Sequence, residues 1–166
     1  MRTRLSRDKR RGFTLVEVLL GLAISAILLV AMAAAFNASV TNYHENQQVY
    51  ETLNGARQAM LRMTTQLRTG YSVDPAAPAG RCSFFTSDNQ DITYEYLSAT
   101  HQLVLITNAD GRQYVLCENV TGLTFTKTAT AAGTDCKSVQ ISITVQVGDQ
   151  VQTLSSAATI RRNLES

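Results

Sequence analysis

One acidic residue stands out for where it lies. Glu17 sits within "RRGFTLVEVLLGLAISAILLV", residues 10–30, inside a run of membrane-spanning length. A carboxylate in such a helix is disfavoured by roughly 2.5–3.5 kcal/mol at the centre and by less near an end. Its presence therefore calls for a partner. Three cysteines, Cys82, Cys117 and Cys136, are the other reactive groups. An odd number allows at most one internal bridge, and two readings stand: one disulfide, or three small buried hydrophobes. His44 and His101 are the only histidines, and neither has a Cys or His nearby at metal-ligand spacing. Asp88, Asn89 and Asp91 crowd one short stretch, where a polar hairpin turn explains them more simply than a calcium site. No Gly-rich phosphate loop, nucleophile elbow or catalytic constellation is present. The expectation is a protein that is not an enzyme and needs no cofactor or metal.

The elements that must position these groups follow from pattern. From Phe13 to Phe36 only Thr14, Glu17 and Ser25 are clearly polar. Ahead of that run stand Arg2, Arg4, Arg7, Lys9, Arg10 and Arg11, against Asp8 alone. This basic flank predicts a single-pass segment with a cytoplasmic N-terminus and an extracytoplasmic remainder. The chain's formal net charge of +2 is concentrated in that flank; everything after Gly12 is net acidic. No basic patch with interleaved aromatics survives there, so no nucleic-acid contact is expected.

Beyond Phe36 the chain turns amphipathic. Phe36, Val40, Tyr43, Tyr50, Leu53, Met60 and Leu67 recur at helical spacings, and no proline interrupts residues 13–69. The stripe reads as domain core, covered by a sheet. Gly70 is a natural stop, with Arg68 in the last turn. Both prolines fall in "YSVDPAAPAGR", a loop. After it the period becomes two: "CSFF", "ITYEYL", "HQLVLIT", "RQYVLC", "VTGLTFTK" and "SVQISITVQV" read as strands, with a last strand ending near Ile160. Alternation of this kind predicts an antiparallel sheet with one face covered and one wet.

The expected organisation is a basic leader (1–12), a transmembrane or filament-core helix (13–36), an amphipathic helix (37–70) and an antiparallel β region (71–166). Residues 37–166 form one extracytoplasmic domain of α+β class.

Read whole, Arg10-Arg11-Gly12-Phe13-Thr14-Leu15-Val16-Glu17 followed by an apolar helix closely resembles the N-terminal motif of type IV prepilins and type II secretion prepseudopilins. The order of long helix, proline-bearing loop and antiparallel sheet also matches that family. The resemblance implies cleavage between Gly12 and Phe13 by the membrane prepilin peptidase and N-methylation of Phe13. It also implies assembly with sibling major and minor pilins or pseudopilins through an inner-membrane platform. Glu17 then becomes the counter-charge for the new amino terminus of its own chain or a neighbour, since a buried ammonium among packed helices needs an anion. Side chains on a helix lean towards its N-terminus, which points this carboxylate at Phe13.

Within the family, "ARQAMLRMTTQLRTG" and "SSAATIRRN" are similar to W-type minor pilins and J-type minor pseudopilins. The chain departs from many major pilins in having Ala33, Ala34 and Ala35 where they carry a proline, and no cysteine pair bracketing its C-terminal end. In an exported domain, one bridge is expected, with Cys82–Cys117 the favoured pairing. Two plainer readings of the N-terminal segment remain: a tether for an extracytoplasmic binding domain that never polymerises, and a secretory signal cut near Ala35 or Ala38.

Overall fold

The computed structural model describes residues 12–163. The chain divides into two compact units, Met1–Tyr43 and His44–Ser166. One helix, α1 (Leu15–Thr69), contributes to both.

In the first unit, leucine, alanine and isoleucine favour the helix and no proline breaks it. Its apolar side chains from Leu15 to Phe36 are all exposed. A helix that is apolar all round needs cover on every side, and among the described residues nothing covers this one. It is the one helix among the described residues long and apolar enough to cross a membrane.

The second unit is a helix packed on antiparallel β structure. Ala56, Ala59, Met60, Met63, Thr64 and Leu67 form the buried face of α1, at the spacing of a single helix stripe. The buried Thr64 hydroxyl donates back to the Met60 carbonyl (2.9 Å), so no polar group is stranded there. The helix stops at Thr69 because of what lies beyond it. A Cβ built on Gly70 would sit 2.7 Å from Phe84 Cδ2 and 2.9 Å from the Phe85 carbonyl oxygen. Only glycine permits that approach.

Seven strands follow: β1 (Arg81–Phe85), β2 (Asp91–Leu97), β3 (Gln102–Thr107), β4 (Arg112–Cys117), β5 (Val120–Ala129), β6 (Cys136–Val147) and β7 (Gln150–Thr159). The α+β class is as expected, but the strands divide into two antiparallel meanders, β1-β2-β3-β4 and β5-β6-β7. The division falls at Asn119, which adopts a left-handed conformation (φ 58°). There the chain leaves β4, and β5 pairs with β6 instead. Asn119 holds the junction: its carbonyl accepts from Gln146 N (2.9 Å) and its side-chain amide donates to Thr52 Oγ1 (3.1 Å). One core joins the inner faces, including Phe84, Tyr94, Leu103, Leu123, Phe125, Ile141 and Ile143 with the buried stripe of α1.

The proline-bearing loop is pinned by a residue far along the chain. The Asp135 carboxylate accepts from Ser72 N (3.0 Å), Val73 N (2.7 Å) and Cys136 N (2.6 Å). Lys127 Nζ donates to the Ala77 carbonyl (2.7 Å).

The expected helix stripe is corrected over its first half, where Phe36, Val40, Tyr43 and Tyr50 are all exposed. Leu53, Met60 and Leu67 lie on the core side, but Tyr50 is 71% exposed. Tyr50 is about 60° round the helix from Leu53 at 100° per residue, whereas Ala56 and Ala59 are buried.

Candidate functional site

The first turn of α1 is built around Thr14 and Glu17. Thr14 stands just outside the helix, and Glu17 lies three residues on. Glu17 Oε2 accepts from both the Thr14 backbone N–H and the Thr14 hydroxyl, each at 3.2 Å. In return Thr14 Oγ1 accepts from Glu17 N at 3.2 Å. This is a reciprocal capping box, which satisfies two of the N–H groups that every helix start leaves unpaired. The same position lets a carboxylate complement the positive end of the helix dipole. Both contacts to Thr14 use Oε2, so Oε1 keeps its capacity to accept from another donor.

Gly12 and Phe13 precede the cap in exposed chain outside the helix; Phe13 is 85% exposed. Nothing lies within 4 Å of a Cβ built on Gly12. The peptide bond between them is open to an enzyme. Arg10 and Arg11 lie outside the described residues. Thr14 is the functional residue that sequence reasoning passed over. Its signal was present, since Thr-Leu-Val-Glu is the S/T-x-x-E pattern of a capping box.

Residues 7–33 match the prokaryotic N-terminal methylation motif. Over this segment the chain is similar to type IV prepilin-like proteins. The match contains the Gly12-Phe13 junction, Thr14 and Glu17, and it implies prepilin-peptidase processing and pilin-type assembly. It ends at Ala33, ahead of the His44–Ser166 unit. Compared with curated proteins and with solved structures, the chain has no significant match.

The remaining sequence candidates do not join this site. The Cys82–Cys117 bridge is corrected: all three cysteines are buried, and Cys82 and Cys117 are not joined to each other. Cys82 is in β1 and Cys117 ends β4, at opposite edges of a four-stranded sheet. Three interstrand spacings of about 4.8 Å separate those edges, far beyond the 7 Å Cα limit for a disulfide. Burial raises each thiol. Cys82 is pushed from 9.0 to about 12, with Lys127 opposing part of the shift. Cys136 rises to about 11 through burial and then Asp135, and Cys117 to about 11 through burial and then Glu118. Thiols held neutral in this way are poor nucleophiles.

Asn89 Oδ1 accepts from the Tyr71 hydroxyl, and Asp91 Oδ1 accepts from Asn108 Nδ2 (2.7 Å). Those oxygens are committed to hydrogen bonds. Among the described residues no group of three or more His, Cys, Asp or Glu side chains is placed to hold a metal ion. His44 lies in α1, and His101 sits at the turn before β3 with φ 54°.

Proposed function

We propose that this prepilin-like chain is a minor pilin or pseudopilin of a type IV pilus or type II secretion machine, acting in a tip or initiation complex. The peptidase cuts between Gly12 and Phe13, Phe13 is N-methylated, and residues 13–36 pass from the inner membrane into a packed helical core. The N-terminus starts in the cytoplasm and the C-terminal region lies outside the membrane. Its role is structural rather than catalytic, and its partners are the peptidase, the assembly platform and sibling subunits.

The observation that carries this reading is Glu17 within the methylation motif. A tether needs no glutamate in its apolar helix, whereas a cleaved chain creates an ammonium at Phe13 that must be neutralised before it can be buried. The capping box supports the role, because it holds the carboxylate at the N-terminal end of the first turn. The exposed side chains of Tyr50 and Leu61 add to it. They stand eleven residues apart, about three helical turns, and so share one face of α1 that the sheets leave uncovered.

The test is crosslinking of processed protein to its siblings, with wild type compared against Glu17→Gln. The reading expects processing of both and loss of sibling adducts in the variant. Absence of sibling adducts from wild type as well would favour the tether, and full adduct formation by Glu17→Gln would remove the counter-charge role.

A further inference from the structure

Strand β7 is an edge of unusual character. It pairs with β6 at ten successive positions, from Ser138↔Thr159 to Val147↔Gln150, with no bulge. Among the described residues no strand pairs with its other side. Natural sheets protect such edges with charge, proline, a bulge or a covering segment. Residues 150–159, QVQTLSSAAT, contain no charge and no proline. The other edges differ. β5 is approached by the loop through Phe125 N–H to the Ala79 carbonyl (2.7 Å), and β1 by the Tyr71↔Phe85 bridge. β4 is only six residues long and begins at Arg112, which is paired with Asp110.

The side chains of β7 also suit a particular occupant. Thr153 Oγ1 meets Thr144 Oγ1 at 3.0 Å, and Ser155 Oγ donates to Ser142 Oγ at 3.3 Å. These form a hydroxyl row running up to the open edge. On the alternate face Leu154 is half-buried at the rim of the core. Val151, on the hydroxyl-bearing face, is 53% exposed.

We propose that β7 pairs antiparallel with β7 of a second copy of this chain, in the register that sets Leu154 opposite itself. Directly opposed residues in an antiparallel pair point to the same face. Centring on Leu154 therefore keeps both faces consistent. Leu154 covers its equivalent, Gln152 faces Ser156, and Thr153 faces Ser155, so the hydroxyl row continues across the joint. Val151 faces the small Ala157. Because β7 carries no charge, a second copy meets no like-charge repulsion. The symmetric contact is self-complementary and turns two three-stranded sheets into one of six. It rests on the His44–Ser166 unit alone and not on the filament reading.

The experiment uses the full chain in detergent micelles. Leu154→Cys, oxidised with copper phenanthroline, should give a covalent dimer at least tenfold more efficiently than Val151→Cys or wild type, whose own cysteines are buried. Adding Thr153→Lys and Ser155→Lys should lower that yield at least tenfold. Mass spectrometry of the adduct should find only this chain. Sedimentation supplies a second measurement without a new cysteine: wild type should self-associate, and Thr153→Lys/Ser155→Lys should not. Equal crosslinking at positions 154 and 151 would overturn the proposal. So would an adduct to a different polypeptide, a wild type that does not self-associate, or self-association unchanged by the two lysines.

Discussion

The Glu17 carboxylate reaches back to Thr14 and accepts from both its amide and its hydroxyl through one oxygen. The residue that opens the helix thus holds the only acidic group of the apolar segment beside the Gly12-Phe13 junction. Capping and charge neutralisation are separable at this position, because only the second requires a charge.

Glu17→Gln keeps an oxygen able to accept from Thr14 but removes the charge. Glu17→Val removes both, and Glu17→Asp keeps the charge on a shorter arm. All three should be processed, since none makes membrane insertion harder. Co-purification with sibling subunits should fall about equally for Gln and Val. Leaving a buried ammonium unpaired costs about 3–5 kcal/mol, whereas loss of a helix cap costs about 1 kcal/mol. Asp should be intermediate. If Gln assembled like wild type while Val failed, the cap rather than the charge would be the functional feature.

Gly70→Ala should destabilise the His44–Ser166 unit by about 1–3 kcal/mol, the usual effect of overpacking. The new methyl meets both the Phe84 ring and the Phe85 carbonyl oxygen, and a β1 backbone oxygen cannot step aside. Urea denaturation midpoints measure this. An unchanged midpoint would mean that the end of α1 is not seated against β1 as described.

Cys82, Cys117 and Cys136 should all be free thiols, unreactive towards iodoacetamide in native protein at pH 8 and reactive in denaturant. Peptide mapping without reduction checks the pairing; a Cys82–Cys117 peptide would contradict the strand order. The raised thiols also set a pH dependence. Between pH 9 and about 11–12 the unfolded chain loses thiol protons that the folded chain retains. Stability should therefore be level below pH 9 with respect to these groups and fall as pH rises through that window. Cys82→Ala should lessen the fall.

A fragment beginning at His44 should fold and unfold cooperatively in water, because its core is made by its own residues. Among the described residues nothing covers residues 13–36, so full-length protein should require detergent or membrane. Circular dichroism with urea titration tests the fragment; a gradual, non-cooperative melt would count against a self-sufficient unit.

Much of this was legible in the sequence, for physical reasons that differ by element. The strands showed themselves because β6 alternates Val139, Ile141, Ile143 and Val145 against polar neighbours, and period-two burial is a local property. The helix end was visible at Gly70. The division into two sheets was not, because it depends on which strand β5 chooses, and its partners lie up to 25 residues away along the chain, as in Val120↔Val145. Asp135 gave no signal either: it clamps Ser72 and Val73 across more than sixty residues. Tyr50 misled because an apolar helical period marks a stripe but not how far along it the sheet reaches. At the N-terminus, the T-x-x-E pattern was readable as a cap, yet the glutamate's unusual apolar setting directed attention to its charge alone.

The central claim is that Phe13 becomes the first residue of an assembled subunit. Intact-mass measurement on protein extracted from membranes tests it most directly, with peptide sequencing of the N-terminus. The predicted result is a chain lacking residues 1–12, beginning at Phe13 and carrying one added methyl group. A chain that keeps its first twelve residues, or one that begins near Phe36 or Ser39, would contradict the account.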